Sequence, residues 1–275
     1  MFRRTRTRVI TALVAAVAVA GIAAGCGSSS DTTGGGAGSD LDLITDGTLL
    51  VGSDIPYPPF EEGRSESTYT GFDIELVNAI AKGLDLKPEY QDTSFDTIFR
   101  DLAQGGKFDM VASATTITPE REKVVAFSDP YYDSLQSLAV TKGSDIQSTD
   151  DLSGATVGAQ KATTGAAYAE DETDAASVRT YAEIDDAFNA LQAGQVDAVI
   201  NDLPSSQDAI QGKPDLEIAQ EISTGEKYGF AFNLDNTALR DAVNEQLAAI
   251  IKDGTYTTIY KKWFHTEPPK DFQGS

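Results

Sequence analysis

The sequence contains a single cysteine, Cys26, and a single histidine, His265, among its 275 residues. One cysteine cannot form an internal disulfide, and the two residues together are too few for a zinc site built from cysteine and histidine. A Ser–His–Asp triad would have to use His265, which follows Trp263 and Phe264 near the C-terminus and is expected at the surface. The sequence therefore predicts neither a metal site nor a cofactor.

Basic residues are scarce relative to acidic residues. The chain has 21 Lys and Arg against 43 Asp and Glu, which gives a formal net charge of −22 at pH 7. Such a surface repels phosphate backbones, so nucleic acid is not an expected partner. Hydrophobic residues make up 40% of the chain and charged residues 23%, a composition typical of globular proteins rather than disordered ones.

No segment beyond the N-terminus reaches the length of a membrane span. The N-terminus has arginines at positions 3, 4, 6 and 8, followed by an Ala/Val-rich apolar run over 9–24. The run ends in small residues directly before Cys26, a pattern that resembles a bacterial lipoprotein signal. It predicts a signal peptide over 1–25 and lipidation of Cys26, and an ordinary signal peptidase site with an incidental cysteine is the alternative.

The segment after the signal is rich in Gly and Ser and is predicted to be a flexible linker, so that 26–44 comprise the lipidated cysteine and the linker. A linker between an anchor and a domain is what a tethered soluble domain needs. The sequence therefore predicts an extracytoplasmic protein held at the outer face of the cell membrane through Cys26. A monomer is expected.

Beyond the linker, hydrophobic patterning alternates between strands and helices. Strands are predicted at 49–52, 87–91, 109–113, 136–141, 155–160, 178–181, 196–201 and 227–232. Helices are predicted at 72–86, 95–105, from Thr118 onward, and at 149–153, 164–172, 183–193, 204–211 and 236–251. This alternation predicts an α/β fold with open, mostly parallel sheets. In such sheets ligands bind at the carboxyl ends of strands, beside helix N-termini.

Polar and aromatic residues occupy the predicted strand-to-helix corners. The hydroxyl-rich corner that begins at Ser113 runs into Arg121, and a guanidinium beside free N–H groups suits a carboxylate. The other corners contain Asp54, Tyr57, Phe60, Phe95, Thr164, Gly165 and Asp202. Each of these residues also has a purely structural interpretation, since aromatic residues usually fill cores, acids cap helices and a single Arg often pairs at the surface.

Several ordered segments between residues 47 and 264 resemble the amino-acid-binding proteins of ABC importers for polar amino acids, known as family 3. The matching segments are GSD (52–54), YPPFE (57–61), GFDIEL (71–76), GKFD (106–109), TITPER (116–121), FSDPYY (127–132), DLSG (151–154), GQVDA (194–198), YG (228–229), DGTY (253–256) and IYKKW (259–263). Matches of this number and order are far more specific than one short motif.

The resemblance implies a two-lobe, periplasmic-binding-protein-like fold of type II. Each lobe is an open sheet flanked by helices, and a two-strand hinge near 133–137 and 225–229 joins the lobes. The first lobe is expected to comprise 45–134 with 226–268, the second lobe 135–225, and a C-terminal tail 269–275. The implied function is that of a receptor, not an enzyme, that closes on a free amino acid and delivers it to an ABC permease.

The resemblance also implies how an amino acid would be held at its two charged groups. Arg121 would bind the α-carboxylate with two parallel hydrogen bonds, helped by the N–H groups of Thr116 and Thr164, and Gly165 would allow close backbone approach. Asp202, with Ser113 and the Ala114 carbonyl, would hold the α-ammonium. Two departures are that Ala114 replaces a Ser found in some members and Ala162 replaces a usual Gly.

The ligand side chain would lie between Tyr57 and Phe95, with Phe60 nearby and Asp54 at its polar end. A carboxylate there favours a cationic or amide side chain, as in arginine, lysine, histidine, ornithine or glutamine, and disfavours glutamate and aspartate. Two alternatives stay open. One is a dehydratase-like enzyme on the same fold with Asp54 or Asp202 as its acid or base, and the other is a ligand sensor without transport.

Overall fold

The computed structural model describes residues 41–273 and arranges them around two five-stranded sheets. The strands are β1 (Thr48–Ser53), β2 (Lys87–Asp92), β3 (Met110–Val111), β4 (Ala126–Phe127), β5 (Tyr132–Thr141), β6 (Thr156–Gln160), β7 (Ser177–Tyr181), β8 (Ala198–Asp202), β9 (Leu216–Tyr228) and β10 (Ala231–Phe232). The helices are α1 (Phe72–Gly83), α2 (Phe95–Gln104), α3 (Thr164–Asp171), α4 (Ile184–Gln192), α5 (Leu203–Gln211), α6 (Thr237–Lys252) and α7 (Thr255–Phe264).

Both sheets have the same topology. The first has the order β2-β1-β3-β10-β4 and the second has the order β7-β6-β8-β5-β9. In each sheet four strands run in one direction, and one strand, β10 or β5, runs antiparallel to both of its neighbours. We call the first sheet with α1, α2, α6 and α7 the first lobe, and the second sheet with α3, α4 and α5 the second lobe. The predicted α/β class with two mostly parallel sheets is confirmed.

The chain passes between the lobes twice, from β4 to β5 and from β9 to β10. The two crossing segments run side by side, since the Tyr131 N–H donates to the Tyr228 carbonyl (2.9 Å) and the Ser128 N–H donates to the Phe230 carbonyl (2.8 Å). The first crossing runs from Phe127, where β4 ends, to Gln136, where β5 begins to pair with β8, and so includes part of the predicted 133–137. The second crossing adjoins the predicted 225–229.

An aromatic cluster packs the first lobe against the crossing segments. The ring of Phe60 lies 5.2 Å from that of Tyr132 and 5.3 Å from that of Tyr228, both in edge-to-face geometry. Phe72 at the start of α1 lies 4.9 Å from Phe264 at the end of α7. Edge-to-face aromatic pairs add stability beyond the burial of their area, so this cluster fixes where the two crossings leave the first lobe.

Local sequence explains how strands deliver polar groups to the gap between the lobes. All five residues of β8 are buried because helices cover both faces of its sheet, yet the strand ends in the polar pair Asn201 and Asp202. Likewise β1 ends in buried Ser53 and is followed by buried Asp54. The carboxyl ends of these strands therefore bring buried polar side chains to one place.

Three expectations for secondary structure are wrong. The helix expected from Thr118 is only a 3-10 turn, Arg121–Lys123, because buried Val125 draws the chain into β4 after one turn. The segment 149–153 is likewise a 3-10 turn, Thr149–Asp151. The segment expected to be one strand at 227–232 belongs to two strands, β9 and β10. Most of β9 and all of α7 were not predicted. β9 is a largely polar edge strand, and α7 mixes aromatic residues with threonines and lysines.

The ends of the folded region are more ordered than the expected linker and tail. Leu41 is buried and the Ile44 N–H donates to Asp109 Oδ1 (2.8 Å), so the fold begins before residue 45. Buried Phe272 packs against Tyr256 with a ring separation of 5.7 Å. The predicted signal peptide, Cys26 and most of the linker lie outside the described residues. No helix within 41–273 has the length and apolar character needed to cross a membrane.

Gly71, which caps α1, provides a test of this packing. Its φ is +132° and a Cβ built there would lie 2.0 Å from the Phe60 carbonyl oxygen, so we expect Gly71→Ala to destabilise the protein by more than about 3 kcal/mol. Gly254 is the matched control, since its φ of +84° is also left-handed but a Cβ would meet nothing within 4 Å. Gly254→Ala should lower the free energy of unfolding, measured in urea, by only about 1–2 kcal/mol. An equal decrease in the two variants would contradict this account.

Candidate functional site

A cavity lies between the carboxyl ends of the two sheets. Its lining residues come from both lobes and are Asp54, Tyr57, Phe95, Ser113, Ala114, Thr116, Arg121, Gln160, Thr163, Thr164 and Asp202. Nine of the eleven residues proposed from the sequence for the ligand are among them. The structure adds Gln160 and Thr163.

Phe60 and Gly165 do not line the cavity. Phe60 is fully buried behind Tyr57, whose ring lies 6.3 Å away in stacked geometry, and it belongs to the aromatic cluster of the first lobe. At Gly165 a Cβ would lie 3.0 Å from Gln136 Oε1 and 3.1 Å from the Ile200 carbonyl oxygen. The glycine thus allows α3 to approach its own sheet closely, and the absence of a side chain is explained by this packing.

Arg121 is the cation of the cavity. Its Nη1 donates to the Thr116 carbonyl (2.8 Å) and its Nη2 donates to the Ala162 carbonyl of the other lobe (3.3 Å). None of the ion pairs formed within residues 41–273 includes it. Burial lowers the pKa of Arg121 to about 10, which leaves it charged at neutral pH. A desolvated guanidinium without a carboxylate partner is suited to an incoming anion.

Two aromatic rings support the guanidinium. The Cζ atom of Arg121 lies 4.7 Å from the ring centroid of Phe99 and 5.2 Å from that of Phe95. These distances are within the range of cation–π attraction. Phe99 was missed from the sequence, although its spacing of four residues from Phe95 places both rings on one face of α2 and could have indicated it.

Two backbone N–H groups beside Arg121 have no partner among the described residues. They belong to Thr116, in the loop after β3, and to Thr164, the first residue of α3. At Thr164 this is expected, because the first N–H groups of a helix have no carbonyl to bond. Thr163 caps the helix by accepting from the Ala166 N–H (3.1 Å). Together with the guanidinium these N–H groups form a site for an anionic group.

Asp202, the last residue of β8, provides negative charge in the cavity. Its carboxylate accepts from the Tyr57 hydroxyl (2.7 Å) and from Gln136 Nε2. Burial and the nearby charge of Glu226 raise the pKa of Asp202 to about 6. The charge of Arg121 acts in the opposite direction, but the groups that donate hydrogen bonds to the carboxylate are neutral. Tyr57 was expected to flank a ligand side chain, and the structure shows that its hydroxyl also reaches across to the second lobe.

Asp54 supplies a second buried carboxylate. Its Oδ2 accepts from Gln160 Nε2 (2.6 Å) across the gap between the lobes, and its own N–H donates to Ser113 Oγ (3.0 Å). Burial raises the pKa of Asp54 to about 7, and the charges of Glu183 and Asp92 contribute to the increase. This end of the cavity is therefore rich in acid. A cation placed there would restore the ionised form of Asp54.

Ala114 adopts a left-handed backbone conformation with φ of +44° at the edge of the cavity. Its N–H donates to Asp73 Oδ2 (3.0 Å), and the Tyr131 hydroxyl donates to the same oxygen (2.6 Å). Asp73 itself is fully buried beside Glu61. The position of Ala114 is thus fixed from the core of the first lobe.

The geometry suits a small molecule that carries both charges. Arg121 and two free N–H groups are suited to an anion, and Asp202 and Asp54 are suited to a cation in the same cavity. Desolvated charges without ion-pair partners are costly, so this set of groups is complementary to a zwitterion. The first lobe contributes Arg121 and Asp54, and the second contributes Asp202 and Thr164.

Comparison with known proteins agrees with this chemistry. Residues 49–266 match the family model of the bacterial extracellular solute-binding proteins, family 3. The chain is 33% identical to ABC transporter arginine-binding protein 1 of Escherichia coli over 221 residues, covering 78% of this chain and 90% of that protein. It is 32% identical to the L-cystine-binding protein TcyJ of the same species, covering 82% and 85% of the two chains.

The solved structures agree as well. The arginine-, lysine-, histidine-binding protein ArtJ of Geobacillus stearothermophilus matches with a TM-score of 0.76 and 34% identity, covering 82% of this chain and 98% of that one. The family and these relatives are solute-binding proteins rather than enzymes, which confirms the expectation of a protein without catalytic activity. This chain belongs to family 3 of the bacterial extracellular solute-binding proteins.

Proposed function

We propose that this protein binds a free amino acid with a cationic or amide side chain outside the cytoplasm and delivers it to an ABC permease. The observation that carries the proposal is the presence, in one cavity, of a partly buried guanidinium that forms no ion pair and two buried carboxylates whose hydrogen-bond donors are neutral. We propose that it acts as a monomer, since both sets of groups belong to one chain.

The α-carboxylate of the ligand would bind at Arg121. The guanidinium is stacked on Phe99 and Phe95, which limits its movement, and charge-assisted bonds to a carboxylate are about twice as strong as neutral ones. The unpaired N–H groups of Thr116 and Thr164 would complete the site. Because these two residues lie on different lobes, a bound carboxylate favours the form in which the lobes are together.

The α-ammonium would bind at Asp202, with Ser113 and the carbonyl of Ala114 as further acceptors. The carboxylate now accepts from Tyr57 and Gln136, which supply no positive charge. An ammonium group would stabilise the ionised form of Asp202 against the burial that raises its pKa to about 6. Its binding therefore offsets a cost that the ligand-free protein carries.

Asp54 would contact the end of the ligand side chain, and Tyr57 and Phe95 would flank the chain itself. The charges of Glu183 and Asp92 near Asp54 favour a cation there over an anion. The names of two relatives give arginine as a ligand, and ArtJ adds lysine and histidine. The cystine-binding relative shows that the family scaffold serves other side chains, so the preference for a cation depends on Asp54.

Loss of the Arg121 guanidinium should abolish binding of every amino acid. The ligands are first identified on the wild type, in protein starting near residue 39, by a thermal-shift screen of the twenty amino acids with ornithine and citrulline. A ligand at 100 times its Kd adds about 2.7 kcal/mol, or roughly 5–10 °C for a protein of this size. Arg121→Ala should weaken binding by about 2–5 kcal/mol whatever the side chain of the ligand.

Arg100→Ala is the matched control, because Arg100 is exposed and pairs only with its neighbour Asp101 (3.1 Å). This variant should bind as the wild type does. Wild-type affinity in Arg121→Ala would show that the carboxylate site is elsewhere.

Asp54→Asn should reduce the preference for a charged side chain. Arginine and citrulline have similar shapes, but only arginine is a cation, so we expect the ratio of their Kd values to fall roughly tenfold or more in the variant. Isothermal titration at pH 8 measures both constants. The control is Asp109→Asn, which removes a buried carboxylate outside the cavity that accepts from the Ile44 and Leu50 N–H groups. An unchanged ratio in Asp54→Asn would contradict the role of Asp54.

The same substitution should stabilise the ligand-free protein. In the unfolded chain Asp54 ionises near its ordinary pKa of 3.8, whereas the folded protein keeps the proton until the pKa of about 7. Ionisation of Asp54 therefore lowers the free energy of unfolding of the wild type as the pH rises from about 4 to 7. At pH 8 Asp54→Asn should be more stable by on the order of 2–4 kcal/mol in urea unfolding, and near pH 4 the difference should vanish. Asp109→Asn should instead destabilise the protein, because the amide nitrogen of the new side chain would face a backbone N–H donor.

We further propose that lipidation of Cys26 anchors the protein to the outer face of the membrane. In a host with lipoprotein processing, the wild type should fractionate with membranes and carry a thioether-linked lipid that mass spectrometry detects. Cys26→Ser should be released in soluble form with unchanged amino-acid binding, since the cavity lies between residues 54 and 202. Soluble wild-type protein without lipid would contradict the anchor.

A further inference from the structure

Glu226 lies on β9, two residues before the end of that strand, and its carboxylate bonds to both lobes. Its Oε2 atom accepts from Thr116 Oγ1 (2.8 Å) in the first lobe and from Thr164 Oγ1 (2.9 Å) in the second. A single oxygen atom therefore joins the two lobes at the cavity. Both bonds can exist together only when the lobes are as close as they are here.

The other carboxylate oxygen is also held. Oε1 accepts from Thr224 Oγ1 (3.1 Å) on the same strand and from Gln136 Nε2 (3.2 Å) on β5. Gln136 Nε2 also donates to Asp202. Thr116 and Thr164 bond to Oε2 and Gln136 bonds to Oε1, so the carboxylate keeps one orientation even without the bond from Thr224. Through Gln136 it is connected to the residue proposed to bind the ammonium.

The two threonines are the residues whose N–H groups would bind the ligand carboxylate. Because their hydroxyl protons are donated to Glu226, the hydroxyls are not available to the ligand, and only the N–H groups are. Fixing each side chain also restrains the backbone of the same residue. We propose that Glu226 is a positioning residue that holds the N–H groups of Thr116 and Thr164 at the separation that an α-carboxylate requires, and this proposal rests on the proposed function.

Charge alone does not explain a carboxylate at this place. Glu226 lies close enough to Arg121 and Asp202 to influence both, and it raises the pKa of Asp202 by repulsion. Glu226 would also repel an anionic group bound at Arg121, so attraction of that group cannot be the reason for its position. The hydrogen bonds that Glu226 accepts from both lobes offset this repulsion.

The test uses L-arginine, with Kd from isothermal titration and the dissociation rate from stopped-flow fluorescence. Thr116→Val and Thr164→Val keep their N–H groups and remove one hydroxyl bond each. These variants and Glu226→Ala should each bind roughly five- to thirtyfold more weakly, chiefly through faster dissociation. Glu226→Gln, which keeps an acceptor oxygen, should recover most of the affinity. The Glu226→Ala/Thr164→Val double variant should bind no more weakly than Glu226→Ala, since both changes remove the same bond.

Thr224→Val is the matched control, because it removes a hydroxyl bond to the same carboxylate without touching either lobe's ligand site. It should bind within twofold of the wild type. Glu226→Ala or both single threonine variants at wild-type affinity would overturn the positioning role and leave the proposed function intact. An equal loss in Thr224→Val, or no recovery in Glu226→Gln, would also overturn it. A wild type that binds none of the amino acids screened would overturn the proposed function and this inference with it.

Discussion

The proposed site depends on charged groups that are held between the lobes without forming ion pairs with one another. Arg121 lies on two aromatic rings. Asp202 is the last residue of a buried strand, and Asp54 directly follows another. The packing that positions each group therefore also removes it from water. Folding carries this cost because helices and sheets fix where the groups lie. The proposed amino-acid ligand would offset this cost, which would link the stability of the protein to the selectivity of the site.

The division of these charges between two lobes gives the cavity its second property. Neutral hydrogen bonds now connect the lobes, from Tyr57 to Asp202 and from Gln160 to Asp54. Bonds of this kind contribute little net free energy compared with charge-assisted bonds to a ligand. A ligand that bonds to both lobes, as proposed, would add charge-assisted bonds to these neutral ones and so favour the arrangement in which the lobes are together.

Much of the fold and the composition of the cavity could be predicted from the sequence, because both follow from local patterns. Parallel strands bring their carboxyl ends to one edge of a sheet, which predicts that Asp54 and Ser113 lie together, and β8 ends in polar Asp202 in the same way. Asp202 lies in the other sheet, so its place in the same site was implied by the resemblance to a two-lobe family. The failures have equally local causes. Phe60 follows the same corner as Tyr57, but its ring turns into the core, and hydrophobicity cannot distinguish a ring that faces a ligand from one that packs behind it.

Residues that act across the gap between lobes could not be found in this way. Gln160 matters because it meets Asp54, and Glu226 because it meets Thr116 and Thr164, and in each case the partners are more than 60 residues apart. Glu226 also lies on an edge strand whose alternating polar residues resemble a solvent-facing surface. Only the crossing of the chain between lobes turns that strand towards the cavity. The way in which the two lobes meet, rather than any local motif, therefore determines which additional polar side chains reach the proposed site.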